Sequence, residues 1–433
     1  MEISVVGCGY LGAVHAAAMA ELGHRVVGVD TDAAKIAKLT AGTAPFFEPG
    51  LDELLRAGID SGRLRFTTDL AEAAGAEVHF VAVGTPQLPG ADGADLRFVN
   101  GAFDALAAVA SAGSLIVGKS TVPVGTAADL VGRLRQAGSE ALVAWNPEFL
   151  REGFAVADTL TPDRLVYGVD DPRSTELLDR VYAAVLERGT PRIVTDFATA
   201  ELVKTAANAF LATKISFINA MGEIAEATGA DVTTLADAMG HDARIGRRFL
   251  NAGIGFGGGC LPKDIRAFTA RAEELGRAES VAFLRQVDAI NLRRRERAVE
   301  LAVEMLGDSV YERRIAVLGL TFKPDSDDTR DSPALDVAAR LHGLGALVRA
   351  TDPHGIANAR LRHPQLDYVE TAEAALRDAD LAVLVTEWRE YRDLEPAAVT
   401  ALMAEPRIID ARNVLDPAAW RAAGFAYRGL GRS

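Results

Sequence analysis

One of the two cysteines lies in a segment of unusual composition. Residues 255–264 read GFGGGCLPKD, with four glycines in the first five positions. Glycine loses much backbone freedom on folding, so such a run is expected where the backbone must approach a ligand. Pro262 and the helical pattern of residues 265–275 predict a helix that begins just after Cys260. That helix N-terminus and the nearby Lys263 should lower the pKa of the thiol, which favours a nucleophile over a buried structural cysteine.

A second glycine cluster follows the first apolar run. Residues 7–12 read GCGYLG and fit G-x-G-x-x-G between a strand and a helix, although an ordinary turn is the alternative. The three glycines permit a tight turn, approach of a pyrophosphate and close helix packing. Asp30, at the end of the next predicted strand, can accept hydrogen bonds from a ribose diol and would repel a 2′-phosphate, which favours NAD over NADP. The expected cofactor contacts here are Gly7, Gly9, Tyr10, Leu11, Gly12 and Asp30.

A dehydrogenase cofactor combined with a nucleophilic cysteine indicates a specific chemistry. A simple alcohol–ketone dehydrogenase needs no covalent step, whereas a cysteine can hold an aldehyde as a thiohemiacetal. Hydride loss from that adduct gives a thioester, and water then releases an acid. Starting from a primary alcohol, one site could carry out both oxidations. The other cysteine, Cys8, is expected to be a small buried filler.

The elements that must position these motifs form an α/β–α–α/β series. Strand and helix patterns alternate first, which predicts a doubly wound parallel sheet with strands at residues 3–6, 25–30, 78–83, 115–118, 141–145 and 165–169. Helical patterns follow at residues 198–221, 232–239, 265–275 and 280–306. Strands return at residues 314–318, 346–350, 381–386 and 407–410. Ser332 and Pro333 are expected to be an N-cap and a first helical residue.

Composition and charge exclude several classes of protein. The chain has 433 residues, 49% of them hydrophobic, and a net charge of −14. It lacks the basic footprint of a nucleic-acid binder, and Arg293, Arg294, Arg295 and Arg297 are interpreted as a solvated helix face. The charge-free residues 3–20 are broken by glycines and have no positive start, so neither a membrane span nor a signal peptide is expected. Two distant cysteines predict no disulfide framework and no metal site, and indicate a reducing, cytoplasmic location.

Further motifs resemble those of the UDP-glucose/GDP-mannose dehydrogenase family over essentially the whole chain. They are VGTP at residues 83–86, KSTVPVGT at 119–126, NPEFLREG at 146–153, ELVK at 201–204 continuing to Asn208, the cysteine segment, and Phe322-Lys323 leading to residues 328–330. The resemblance implies two Rossmann-like domains joined by an all-helical middle domain with a long central helix. The expected boundaries are 1–196 for NAD binding, 197–306 for the helical dimerisation domain and 307–433 for binding of the nucleotide sugar.

The resemblance also implies roles for individual residues. Cys260 would be the covalent nucleophile, Lys204 and Asp264 would handle the proton of the first oxidation through a water, and Asn208 would donate to developing oxyanion charge. Thr121 and Glu148 would position that water, with Glu148 a candidate base for thioester hydrolysis. The further contacts implied for NAD are Lys35, Thr85, Thr121, Glu152, Lys263 and Arg330. The contacts implied for the nucleotide sugar are Glu148, Phe149, Leu150, Arg151, Glu152, Lys204, Asn208, Arg244, Phe249, Leu250, Asn251, Ala252, Gly253, Gly257, Lys323 and Arg412.

Substrate choice is open at this point between members of the family. Relatives that act on N-acetylated sugars usually have His before the cysteine and no Lys-Asp pair after it, whereas this chain has Gly259 and Lys263-Asp264. That favours oxidation of UDP-glucose to UDP-glucuronate, with GDP-mannose as the alternative. Two other classes are a single-step 3-hydroxyacid dehydrogenase and a non-catalytic NAD-binding scaffold, but neither needs Cys260, Lys204 and Asp264 together. A homodimer through the helical middle domain is expected.

Overall fold

The computed structural model describes residues 1–432. Contacts between residues divide the chain into two compact units. The first unit comprises residues 1–207 and 270–276, and the second comprises residues 208–269 and 277–433.

The first unit is built on an eight-stranded sheet in the order β3-β2-β1-β4-β5-β6-β7-β8. Its strands are β1 Glu2–Val6, β2 Arg25–Val29, β3 Leu64–Thr67, β4 Val78–Val81, β5 Leu115–Gly118, β6 Leu142–Trp145, β7 Leu165–Val169 and β8 Arg192–Thr195. The helices are α1 Tyr10–Glu21, α2 Ala33–Thr40, α3 Leu51–Asp60, α4 Arg97–Val109, α5 Thr126–Gln136, α6 Ala155–Leu160, α7 Pro172–Val181 and α8 Ala183–Glu187. The predicted doubly wound sheet is confirmed, but it is not wholly parallel, because β7 pairs antiparallel with β6.

Helices then dominate, as the sequence predicts. They are α9 Phe197–Thr228, α10 Val232–Gly240, α11 Leu261–Glu274 and α12 Phe283–Met305. The long helix α9 extends beyond its predicted end and finishes where Gly229 takes up a positive φ of 75°. None of the helices in residues 1–432 is long and apolar enough to cross a membrane.

The second unit contains a six-stranded parallel sheet in the order β11-β10-β9-β12-β13-β14. Its strands are β9 Arg314–Leu318, β10 Leu347–Thr351, β11 Asp367–Tyr368, β12 Leu381–Leu384, β13 Arg407–Asp410 and β14 Ala426–Gly429. The helices are α13 Pro333–Gly343, α14 Ile356–Arg362, α15 Ala372–Leu376, α16 Arg389–Arg392, α17 Pro396–Thr400 and α18 Pro417–Ala422. The predicted start of α13 is confirmed, because the Ser332 side chain accepts a hydrogen bond from the Leu335 N–H.

The central strands of both sheets are buried on both faces, which explains the continuous apolar runs of these strands. In β5, Leu115 and Val117 face one core while Ile116 faces another. In β9, Ile315 and Val317 belong to one core, and Ala316 and Leu318 to a second on the opposite face. Because alternate residues pack into cores on both faces, the strands are held in place, and so are the ends from which the functional loops begin.

The interpretation of the arginine cluster as a solvated face is wrong for two of its four members. Arg294 and Arg295 are only 1% and 4% exposed. The Arg294 guanidinium lies 3.0 Å from Glu226, and that of Arg295 lies 2.9 Å from Asp331. Because each buried cation has a carboxylate partner, the ion pairs offset much of the cost of desolvation.

Asp352 follows β10 as Asp30 follows β2, but its environment is different. Its Oδ2 accepts hydrogen bonds from the Leu320 and Thr321 N–H groups, the Thr321 hydroxyl and the Trp388 indole N–H. Its Oδ1 accepts from the N–H groups of His354 and Gly355. Six protein donors therefore surround this one carboxylate.

Candidate functional site

The glycine loop after β1 has the geometry of a dinucleotide cradle. Gly7 adopts a φ of +90°, and a Cβ on Gly12 would lie 1.8 Å from the Gly7 carbonyl oxygen. A Cβ on Gly9 would meet no atom within 4 Å. The first and third glycines are therefore required by the protein itself, whereas the second leaves open space beside the N-terminus of α1. Backbone N–H groups at a helix N-terminus are suited to bind a pyrophosphate.

Asp30 is placed and charged to receive a ribose diol. Its carboxylate accepts hydrogen bonds from the Cys8 N–H at 2.8 Å, the Asp32 N–H at 3.0 Å and Lys35 Nζ at 2.7 Å. Burial acts to raise the pKa of Asp30, but the Lys35 ammonium and the two N–H groups outweigh it and lower the pKa. The carboxylate is therefore ionised at neutral pH and keeps about one lone-pair site for a further donor. Burial, followed by the charge of Asp30, raises the pKa of Cys8 to about 12, so this thiol is the inert filler expected.

Glu48 contacts the predicted cofactor loop, and the sequence analysis missed it. It is buried, and the Tyr10 hydroxyl donates a hydrogen bond to its Oε2. The same carboxylate accepts from the N–H groups of Gly153 and Ala155, each at 2.7 Å. Glu48 therefore ties the glycine loop to the segment that contains Glu152, a predicted NAD contact.

Two of the predicted catalytic residues form an ion pair in the first unit. Lys204 Nζ lies 3.2 Å from Glu148 Oε1, and the two side chains are 7% and 14% exposed. The Leu150 N–H donates to the other Glu148 oxygen at 2.6 Å, and Lys204 Nζ lies 5.6 Å from the centre of the Phe149 ring. A lysine and a carboxylate at this distance can exchange a proton with a bridging water.

Two further predicted polar residues of the first unit are also joined. The Thr85 hydroxyl donates to the carbonyl oxygen of Thr121 at 2.8 Å, which connects the loops after β4 and β5. Glu201 supports the second loop and was missed as a site residue, although it lies in the ELVK motif. Its carboxylate accepts from the N–H groups of Gly125 and Ala127, both at 2.7 Å, at the start of α5. Burial raises the pKa of Glu201 to about 6.

The second unit brings together Asn208, Lys263 and Asp264. Asn208 Nδ2 lies 2.6 Å from Asp264 Oδ2, and Lys263 Nζ lies 2.6 Å from Asp264 Oδ1. The Asp264 N–H donates to the Cys260 carbonyl oxygen at 2.8 Å, in the first turn of α11. Cys260 is exposed and immediately precedes Leu261, the first residue of that helix. The predicted helix start is therefore confirmed, and it places the thiol one turn before a buried polar cluster.

Asn291 of α12 holds the glycine segment in place, and nothing in the sequence marked it. Its side chain accepts from the Phe256 N–H at 2.7 Å and donates to the Phe256 carbonyl at 2.9 Å. A Cβ on Gly257 would lie 2.2 Å from the Asp331 carbonyl oxygen, and a Cβ on Gly259 would meet the Arg330 guanidinium at 2.4 Å. The glycines of this segment are therefore packed against other parts of the second unit.

The predicted sugar-nucleotide loop of residues 249–253 is equally constrained. Phe249 adopts a φ of +65°, a strained value for an aromatic residue. The Gly253 N–H donates to Asn219 Oδ1 at 2.8 Å, and a Cβ at this glycine would meet the Ala411 carbonyl at 2.6 Å. Leu250 and Ala252 are buried in the small core beneath this loop, and Asn251 accepts from Arg247 at 2.8 Å.

Several predicted binding residues have partners within the protein. Arg412 donates to the carbonyl oxygens of Val385, Gly255 and Phe322 at 2.8, 3.0 and 2.9 Å, so it braces the loops around it. Arg244 pairs with Asp242, and its side chain is 89% exposed. The remaining pairs are Arg151 with Asp158, Arg330 with Asp328, and Lys323 with the ring of Phe322.

The sequence is similar to known proteins over most of its length. Three models of the UDP-glucose/GDP-mannose dehydrogenase family match the chain: the NAD binding domain at residues 1–186, the central domain at 198–293 and the UDP binding domain at 316–417. The chain is 41% identical over 437 residues to a UDP-glucose 6-dehydrogenase of Rhizobium meliloti, with full coverage of both chains.

Solved structures of two dehydrogenases are similar to this chain in fold and in sequence. A UDP-glucose dehydrogenase from Pyrobaculum islandicum is 40% identical, with a TM-score of 0.92 over 100% of this chain and 98% of the other. A UDP-D-ManNAc dehydrogenase from Pyrococcus horikoshii is 29% identical, with a TM-score of 0.87 over 100% and 99% of the two chains.

Proposed function

The chain belongs to the UDP-glucose/GDP-mannose dehydrogenase family, and from this premise we propose that it oxidises UDP-glucose to UDP-glucuronate with NAD. The observation that carries the proposal is the exposed Cys260 at the start of α11, one turn before the cluster of buried Asp264 and Asn208 with partly buried Lys263. An enzyme that stopped at an aldehyde or a ketone would not need this nucleophile.

The first unit provides the groups that hold NAD. The open side of Gly9 and the N-terminus of α1 fit the pyrophosphate, and Asp30 fits the adenosine ribose. When bound, NAD accepts hydride, so a four-electron oxidation uses two molecules of NAD for each sugar. Lys35, Thr85, Thr121, Glu152, Lys263 and Arg330 are the further contacts that the family implies.

The first oxidation requires a group that removes the hydroxyl proton. Lys204, paired with Glu148, and Asp264 serve this role, with a water between the sugar hydroxyl and the protein. Asn208 uses one amide N–H for Asp264 and has a second that can stabilise negative charge on the sugar oxygen. Thr121 helps to position the water.

The second oxidation passes through Cys260. The thiolate adds to the aldehyde carbon and a C–S bond forms, which gives a thiohemiacetal once the oxygen takes up a proton. Loss of that proton and of hydride from the carbon gives a thioester. A water activated by Glu148 then attacks the thioester, the C–S bond breaks, and the acid leaves with the thiolate restored.

The loops of the second unit supply the groups for the nucleotide sugar. Residues 249–253, Gly257 and Lys323 lie on segments that internal hydrogen bonds hold rigid, as specific recognition requires. Arg412 contributes by bracing Gly255 and Phe322, and Arg244 extends into solvent. UDP-glucose is favoured over GDP-mannose because relatives about 40% identical over the full chain are named for UDP-glucose.

We also propose that the chain forms a homodimer through α9. Phe210, Phe217 and Ile224 are 66%, 46% and 58% exposed. With Thr213, Ala220 and Ala227 they make a stripe at alternating intervals of three and four residues, the spacing of a helix seam that packs on a second helix. The family matches support the expected division at residues 1–196, 197–306 and 307–433. An exposed catalytic thiol suits a reducing compartment such as the cytoplasm.

One assay tests the function directly. Purified protein is incubated with NAD and, separately, with UDP-glucose, GDP-mannose and an N-acetylated UDP-sugar, while NADH is followed by absorbance and the product by mass spectrometry. The expected result is two NADH for each UDP-glucose, with a uronate product. A yield of one NADH for each sugar would contradict the covalent route, and so would acid formation by Cys260→Ser at the wild-type rate.

A further inference from the structure

Lys119 is a buried lysine in the first unit to which the mechanism above gives no role. It directly follows β5 and is 6% exposed. Three oxygens of neutral groups surround its Nζ: Asn146 Oδ1 at 3.0 Å, the Asn146 carbonyl at 3.3 Å and the Tyr182 hydroxyl at 3.4 Å. A lysine ammonium has three N–H donors and no acceptor, so this arrangement matches the protonated form.

The surroundings of Lys119 have opposing effects on the pKa of its ammonium group. Its Nζ lies 5.7 Å from the centre of the Phe80 ring and 6.0 Å from that of Tyr182, where the ring faces favour a cation. Burial nevertheless lowers the pKa of Lys119 to about 8; the negative charge of Glu148 opposes this shift and the positive charge of Lys204 adds to it.

Asn146 transmits the position of Lys119 to the candidate site. Its side-chain N–H donates to the Val166 carbonyl at 2.9 Å, and the Tyr182 hydroxyl donates to its Oδ1 at 2.7 Å. Asn146 therefore has its amide, its Oδ1 and its backbone carbonyl fixed. The next residues are Pro147 and Glu148, and Glu148 pairs with Lys204.

We propose that Lys119 is a positioning residue for the Glu148–Lys204 ion pair. Its ammonium fastens the turn after β6 to the end of β5, two residues before Thr121, and loss of its proton loosens that turn. The inference rests on the proposed function, in which Glu148 and Lys204 handle protons.

The other titratable groups that face Lys119 do not change charge in the same pH range. His15 is buried, and burial followed by the charge of Lys119 holds its pKa well below the usual value. Burial raises the pKa values of Tyr182 and Tyr167 above that of a free tyrosine. Among Lys119, His15, Tyr167 and Tyr182, Lys119 is therefore the group whose proton is lost near pH 8.

The test compares wild type with Lys119→Met and with Lys38→Met, the same substitution at an exposed position of α2. Hydrogen exchange by mass spectrometry should become faster in residues 146–153 of Lys119→Met and stay unchanged in Lys38→Met. The kcat of Lys119→Met should fall by about 10- to 100-fold with little change in NAD affinity, since small displacements of catalytic groups have effects of this size. Above pH 8 the kcat of wild type should approach that of Lys119→Met, because wild-type Lys119 then loses its proton.

Unchanged exchange in residues 146–153, or a wild-type kcat and pH profile in Lys119→Met, would overturn the proposal. If Lys119→Met does not fold, Tyr182→Phe is used instead, because it removes one of the oxygens that surround the ammonium. The exchange in residues 146–153 should then be faster and kcat lower than in wild type, both by less than for Lys119→Met. If Tyr182→Phe shows neither effect, the proposal is overturned. If wild type fails to oxidise UDP-glucose, the proposed function fails, while the exchange measurement still decides whether Lys119 holds the turn.

Discussion

The Asn208 amide of α9 donates to the Asp264 carboxylate of α11 across 2.6 Å. Lys263 approaches the other oxygen of the same carboxylate at 2.6 Å. This sharing orients the Asn208 amide and leaves its second N–H for a substrate oxygen, since an amide carries two N–H donors.

Removal of that donor should affect turnover more than binding. For Asn208→Ala we expect kcat to fall by about 100-fold, the usual effect of losing one oxyanion donor, with a much smaller change in KM for UDP-glucose. Steady-state kinetics measure both constants, and Asn100→Ala on α4 serves as the control. An unchanged kcat would show that Asn208 has only a structural role.

Two glycines of the cofactor loop should respond differently to the same substitution. Gly9→Ala adds a methyl group in open space and should leave the melting temperature unchanged while weakening NAD binding by at least tenfold, because it enters the pyrophosphate position. Gly12→Ala forces a Cβ against the Gly7 carbonyl and should destabilise the fold by about 1–3 kcal/mol. Calorimetric melting and NADH fluorescence titration measure the two effects. Equal behaviour of both variants would refute this assignment.

The contact between Tyr10 and Glu48 should appear as an energetic coupling in NAD binding. We expect the variants Tyr10→Phe and Glu48→Gln each to weaken NAD binding, and the double variant to lose less than the sum of the two. The coupling free energy should be about 0.5–3 kcal/mol, as for residues in one hydrogen-bonded network. Binding titrations of all four proteins measure it, and additive losses would exclude the network.

Glu201 should make stability depend on pH near neutrality. Burial raises its pKa from 4.5 to about 6, so the folded chain prefers the protonated form more strongly than the unfolded chain does. Its contribution is fully present below pH 4.5 and is lost as the pH rises through about 6. Relative to wild type, Glu201→Gln should gain about 1–2 kcal/mol of unfolding free energy between pH 5 and 7.5. Urea unfolding of both proteins at each pH measures this gain. The same difference in unfolding free energy between variant and wild type at both pH values would contradict the prediction.

The exposed stripe on α9 should decide the oligomeric state. A charge in the middle of an apolar seam is costly, so Phe217→Arg should convert the dimer to a monomer. Leu361→Arg, at a position 85% exposed on α14 and outside the stripe, should remain dimeric. Light scattering after size-exclusion chromatography measures the mass, and a dimeric Phe217→Arg would place the interface elsewhere.

The strands that the sequence predicted are those buried on both faces, because such strands have continuous apolar runs. The strands it missed are short, or carry polar and exposed residues: β3 alternates buried and exposed positions, and three of the four β8 residues are exposed. The antiparallel pairing of β7 could not be read from its sequence, since burial rather than direction sets the composition of a strand.

The motifs of the candidate site were found in the sequence, but the residues that support them were not. Glu48 lies 105 positions from Gly153, and Asn291 lies 35 positions from Phe256. Both act on backbone N–H groups, which every non-proline residue has, so their partners leave no mark in the sequence. Arg294 was predicted to be a surface residue because its partner, Glu226, is distant along the chain and the sequence does not show that the two meet.

The six donors around Asp352 determine whether its carboxylate can bind a ribose as Asp30 is expected to do. A carboxylate offers about four lone-pair sites, so Asp352 cannot take up a ribose diol without releasing protein donors. Asp30 has three donors, which leaves about one lone-pair site for a ribose hydroxyl. The carboxylate after β10 is thus already occupied by the protein, and we expect the adenosine ribose of NAD to select Asp30 and not Asp352.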